Sequence, residues 1–191
     1  MKSFVIGLLF FVSILLPASG RSLQPFSRSV SRGDECSAPI RDTCTFYLDC
    51  LEDGNYDCGT AGYPIGYGQY YCEKFNAAKP LLSPQGQQWV SDTMLCLQTA
   101  LIPEATGAST AVQGCDSLYN KAFSTHAQCY VDNGLCILPP TDWIVIVNTV
   151  GIENLFSTAQ AFEQTLITAG DCFAFYVWLT GIVCYTLGIC I

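Results

Sequence analysis

Histidine occurs once in the 191 residues, at His126, and basic residues are scarce. From Gly33 onward four Lys and Arg face sixteen Asp and Glu, a net charge of −12; counting Arg21, Arg28 and Arg32, the chain after residue 20 carries −9. Such a surface repels phosphate backbones and excludes nucleic acid as a partner. A Cys-His or Ser-His catalytic arrangement needs a free nucleophile beside its base, and a single histidine among cysteines suited to pairing does not supply one. Aspartic chemistry needs two carboxylates held together, and no acidic pair has such a setting. No C-x-x-C spacing occurs, nor any Asn-x-Ser/Thr acceptor, so N-glycosylation is not expected. These absences describe a non-catalytic protein without a cofactor or a dedicated metal site, whose acidic surface attracts divalent cations only diffusely.

What is abundant is cysteine. Twelve cysteines, an even number, all lie beyond the first 20 residues. Residues 1–20 read as a secretory signal: Lys2, an apolar run from Phe4 to Leu16, then the small residues Ala18, Ser19 and Gly20. That run is shorter than the roughly 20 residues a membrane span needs. In an oxidising compartment the cysteines are disulfides rather than zinc ligands or catalytic thiols. Residues 21–35 are a Ser-rich leader without apolar periodicity, expected to be flexible.

Helical periodicity organises the middle of the chain. Ser83-Pro84-Gln85 is a hydroxyl cap followed by a proline at the first helical position, where the missing N–H costs nothing. Val90, Met94, Leu97 and Leu101 then form one stripe with Cys96 beside it, and Pro103 should stop the helix near Ile102. A second run places Cys115, Tyr119, Ala122, His126 and Cys129 down one face, with Leu118, Phe123 and Tyr130 widening it, until Asp132-Asn133-Gly134 ends it. His126 on that face reads as a packed side chain. After Pro139-Pro140, Thr141-Asp142 is a fresh cap signal. Trp143 to Val147 is β-prone locally, but a lone strand has no partner, so an all-helical core with this one segment ambiguous is the more economical reading. Ile152, Leu155, Phe156, Ala159, Phe162, Glu163, Leu166 and Ile167 repeat almost wholly at helical spacing, and Gly170 should close that helix before Cys172.

The flanking segments read differently. Cys36 to Cys72 is cysteine-dense and loop-rich, with a short helix over Thr45 to Leu51. Asp49, Glu52, Asp53 and Asp57 surround Gly54-Asn55 without the register of a calcium loop, and a solvated turn is expected there. Gly59 to Tyr71, with four glycines and four tyrosines, reads as a loop with packed rings. Residues 173–191 form an apolar tail, open to three readings: a buried or self-associating helix, membrane insertion, or a lipid-anchor signal. Cys184 and Cys190 lie six residues apart, too far round one helix to bridge each other unless it breaks at Gly188. Two tails packed together, with one of these cysteines crossing between chains, is the expected dimer.

Cys36, Cys44, Cys50, Cys58, Cys72, Cys96, Cys115, Cys129, Cys136 and Cys172 follow one another at separations of 8, 6, 8, 14, 24, 19, 14, 7 and 36. With Cys50-Leu51-Glu52, Cys72-Glu73-Lys74-Phe75, Gln85-Gly86 and Gln128-Cys129-Tyr130, this ladder resembles the stanniocalcin family of secreted hormones over residues 36–172. The resemblance implies an all-α, disulfide-rich domain with Cys36 paired to Cys50, Cys44 to Cys72, Cys58 to Cys115, Cys96 to Cys129, and Cys136 to Cys172. It also implies a homodimer acting outside the cell in calcium and phosphate balance through a protein receptor, or on a pappalysin-type metalloproteinase. Two departures are visible. Asp53-Gly54-Asn55-Tyr56-Asp57 replaces the family's glycosylation acceptor after Cys-Leu-Glu, and the apolar tail replaces its long polar extension. A secreted cysteine-rich effector, a protease inhibitor or a lipid-binding protein is the alternative.

Overall fold

Helices are the only regular elements of the computed structural model, which describes residues 36–151, 154, 158, 160–161 and 163–173; no strand forms among them. Two wide-turn helices come first, π1 (Tyr47–Tyr56) and π2 (Tyr63–Gln69). Then follow α1 (Tyr70–Ala78), α2 (Pro84–Thr99), α3 (Ile102–Ala105), α4 (Cys115–Phe123), α5 (His126–Asp132) and α6 (Pro140–Val150). Single 3₁₀ turns at Lys79–Leu81 and Leu135–Ile137 link neighbours, and residues 163–173 are also helical. The expected signal segment 1–20, the leader 21–35, and Cys184 and Cys190 of the tail lie outside the described residues.

Five disulfides staple these helices: Cys36–Cys50, Cys44–Cys72, Cys58–Cys115, Cys96–Cys129 and Cys136–Cys172. They join the same partners that the family resemblance implies. No described cysteine is free. The bonds cross between segments 14 to 57 residues apart, so each removes freedom from the unfolded chain. Between them, α1 packs on α6, α3 on π1 and α2 on α5. The core runs through Tyr47, Leu51, Val90, Leu101, Leu118 and Ala122, all buried.

The central helix begins as its sequence dictates. Ser83 Oγ accepts from the Gly86 N–H at 3.1 Å, and Pro84 occupies the first position. It ends at Thr99, earlier than the expected stop near Ile102. A proline ring collides with the carbonyl four residues before it, here Thr99, so Pro103 acts back on Thr99 to Leu101 and then fits the first turn of a new helix, α3. Leu101 keeps its core role from that break.

The second periodic run is likewise two helices rather than one. Ser124 Oγ donates to the Lys121 carbonyl and Thr125 Oγ1 to that of Ala122, both at 2.7 Å. Hydroxyls that take carbonyls three residues back compete with the helical ladder, and the chain turns there before α5 resumes. Trp143 to Val147 is helical, inside α6. The cap signal of Thr141-Asp142 is used differently from the expectation. Pro139 stands at the cap with no side-chain bond, while the Asp142 carboxylate turns inward, accepting from Ser83 N at 2.9 Å and Ser83 Oγ at 2.6 Å.

Three further expectations are corrected. The acidic cluster is solvated at Asp53 and Asp57 but is not a turn: Asp49, Glu52 and Asp53 lie within π1, whose final bond runs five residues, from Asp57 N to Glu52 O at 3.0 Å. Glu52 is buried beneath α3 and accepts from the Gly59 N–H, while Asn55 Nδ2 reaches the carbonyls of Glu104 and Ala105 at 3.1 and 2.7 Å. Gly59 to Gly62 is a loop as expected, but Tyr63 to Tyr71 is π2 and the start of α1, with its rings packed as expected. Gly68 makes that packing possible, since a Cβ there would stand 3.0 Å from Tyr47 Cγ. Gly170, finally, does not close a helix. It lies within helical residues 163–173, where its φ is not left-handed, and the bond from Cys172 to Cys136 fixes the next turn.

Candidate functional site

Phe123 ends α4, and His126 and Tyr130 follow on α5 at offsets of three and four, so the three rings line one face. Trp143, Ile146 and Val150 do the same on α6, and Ala161, Thr165 and Thr168 on the helical segment beyond it. Tyr67 from π2, Phe75 from α1 and Trp89 from α2 join these side chains. Together they line a cavity of about 190 Å³. A second cavity of about 40 Å³ adjoins it across Tyr67, Phe75, Trp89, His126, Tyr130 and Val150.

The rings brace one another. Tyr67 and Phe123 lie 4.6 Å apart centre to centre, Phe123 stacks on His126 at 5.0 Å with 18° between planes, and Tyr130 meets His126 edge-on at 5.6 Å. Trp89 Nε1 donates to the Tyr130 carbonyl at 3.1 Å, tying α2 to α5 beside the Cys96–Cys129 bond. Polar groups on the wall are largely satisfied within the protein. Asn154 Nδ2 donates to Val150 O at 2.8 Å, Gln164 Oε1 accepts from Ala127 N at 3.2 Å, and the Thr165 and Thr168 hydroxyls donate to carbonyls four residues back.

Electrostatically the described lining of the cavity is neutral. Burial lowers the pKa of His126 to about 4, so the ring is uncharged at neutral pH, and burial pushes the phenols of Tyr67 and Tyr130 upward. His126 Nδ1 lies 2.9 Å from the Ala122 carbonyl, which can only accept; the proton therefore sits on Nδ1, and Nε2 is a lone-pair acceptor. Among the described residues no group of three His, Cys, Asp or Glu could hold a metal ion, and no helix is long and apolar enough to cross a membrane.

The structure thus places His126 where the sequence put it, on a packed apolar face, and brings the ten ladder cysteines together in pairs. The far wall is what the sequence did not give away. Leu166 and Ile167, on the expected apolar repeat, are exposed, and the smaller Ala161, Thr165 and Thr168 face the cavity instead. The one available sign was Trp143 with Ile146 and Val150 at helical spacing, masked by their β-branched neighbours.

Fold and site define an all-α, disulfide-stapled domain, suited to an oxidising compartment, with a half-open aromatic pocket whose described lining is uncharged. No model of a known protein family, no curated protein and no solved structure matches the chain.

Proposed function

We propose that the protein is a secreted, non-catalytic signalling protein of the stanniocalcin type, acting as a homodimer outside the cell in calcium and phosphate balance by binding a protein partner. The observation that carries this reading is the disulfide framework. Ten half-cystines allow roughly 900 pairings, and the five bonds here are the set that the resemblance implies. Local sequence around Cys50, Cys72 and Cys129 supports the same reading. A helical body held by five staples suits a ligand that must keep its surface outside the cell, and the acidic balance favours a partner with a basic face.

The test uses the protein purified from culture medium. Labelled protein should bind cells or a pappalysin-type metalloproteinase saturably, and should change the uptake of radiolabelled phosphate or calcium by those cells. Non-reducing electrophoresis should give a dimer that reduction, or Cys184→Ser with Cys190→Ser, converts to monomer. Unchanged uptake, together with no saturable binding to either target, overturns the reading.

A further inference from the structure

We propose that the cavity between α5, α6 and helical residues 163–173 is a binding site for one small, uncharged aromatic molecule carrying a hydroxyl or N–H donor, its ring seated against Trp89, Phe123 and Trp143 and its donor on His126 Nε2. Size sets the first limit. Apolar cavities of about 150 Å³ accept a benzene ring, and about 190 Å³ admits a single ring with a substituent or a fused pair, not a long acyl chain. Chemistry sets the second. Among the described residues no charged side chain lines the space, so a charged ligand finds no counter-ion among them. Stable water needs two to four polar partners, and the wall's amides and threonines each already make a bond to a backbone group.

His126 supplies an acceptor. With its proton committed to Ala122, His126 presents Nε2 as a lone pair, and no described residue donates to it. A ligand donor would satisfy it, which gives the cavity a preference among rings of equal size. Flat rings also match the surrounding faces, where offset and edge-on contacts are already the rule. This site is independent of the protein-partner reading above, and either can fail alone.

The experiment is titration calorimetry on the whole secreted protein with its disulfides intact, using phenol, indole, toluene and benzoate as probes. Phenol and indole should bind at one site and change tryptophan fluorescence, since Trp89 and Trp143 line the space. Toluene, the same size as phenol without the donor, should bind about five- to tenfold more weakly, as one neutral hydrogen bond implies. Benzoate should not bind. Ala161→Trp, or Thr165→Phe should the first fail to fold, should abolish binding with helical content retained, and His126→Phe should erase the preference for phenol over toluene. Absence of saturable phenol or indole binding at millimolar concentration, binding indifferent to the filling substitutions, or equal affinity for phenol and toluene would each overturn the assignment.

Discussion

Gly86→Ala separates what helix propensity expects from what the packing demands. On an open helix face the change stabilises by about 1 kcal/mol, because alanine loses less backbone freedom than glycine. Gly86 is not on an open face. A Cβ there would meet the Asp142 carboxylate, 2.8 Å from its Cγ and 3.0 Å from Leu82 Cβ. Asp142 is 1% exposed and holds Ser83 through two hydrogen bonds, at 2.9 and 2.6 Å, while Ser83 Oγ caps α2 on the Gly86 N–H itself. The methyl therefore strikes the group that joins the starts of α2 and α6. Overpacking costs about 1–3 kcal/mol and a weakened bond to a charged group about 1.5–3, against the gain of about 1, so the net destabilisation is about 3 kcal/mol. For a chain of this size that is a Tm about 6–12 °C lower. Thermal unfolding of the oxidised protein reads it directly. A Tm equal to or above that of the parent would refute the reasoning. On an Asp142→Ala background the same change should cost much less, because the clash and the bonds it breaks are gone.

Two further outcomes follow from the framework and the buried ring. Replacing Cys96 and Cys129 together by serine opens a bond between residues 33 apart and should cost about 4 kcal/mol in urea unfolding, as loop closure implies. His126, neutral in the fold with a pKa near 4 and about 6.5 when unfolded, makes the unfolded chain the better proton binder between those values; its contribution is complete above pH 6.5 and falls by about 3 kcal/mol as pH drops to 4, and His126→Asn should flatten that slope in a pH series of melting curves.

Much of the architecture could be read from local rules. The Ser83-Pro84 start and the burial of His126 each rest on one segment's own chemistry, whereas Trp143 to Val147, β-prone by itself, needed its neighbours to be read as helical. The misreadings share a different cause. The second run breaks because Ser124 and Thr125 take carbonyls that a continuous helix would use, and both residues are ordinary in a periodicity count. Glu52 looked solvated beside Asp49 and Asp53, yet its partner, the Gly59 N–H, is seven residues on and was not assignable to it from the sequence. Asp142 had the appearance of a cap for its own helix and instead serves Ser83, 59 residues away. The cavity was the least legible feature, since it belongs to no segment: seven elements contribute to its wall, and the space is a property of their spacing.

That spacing makes the fifth disulfide different from the other four. Cys36–Cys50, Cys44–Cys72, Cys58–Cys115 and Cys96–Cys129 all close within residues 36–129, where the core is densest, whereas Cys136–Cys172 carries helical residues 163–173 onto the cavity. Besides this bond, the wall's described links to α4 and α5 are few: Gln164 to Ala127 N, Gln160 Nε2 to Asn120 Oδ1 at 3.0 Å, and the Tyr119–Thr158 hydroxyl pair at 3.1 Å. Three hydrogen bonds of this kind contribute about 1 kcal/mol each at most, less where they are exposed, and closing a 36-residue separation about 4. Cys136→Ser with Cys172→Ser should therefore release the wall before it unfolds the body. Hydrogen exchange of residues 163–173 should rise by several hundredfold while that of α2 keeps most of its protection, and indole or phenol binding should be lost with it. Uniform loss of protection across α2 and the wall would mean instead that all five staples hold one cooperative unit.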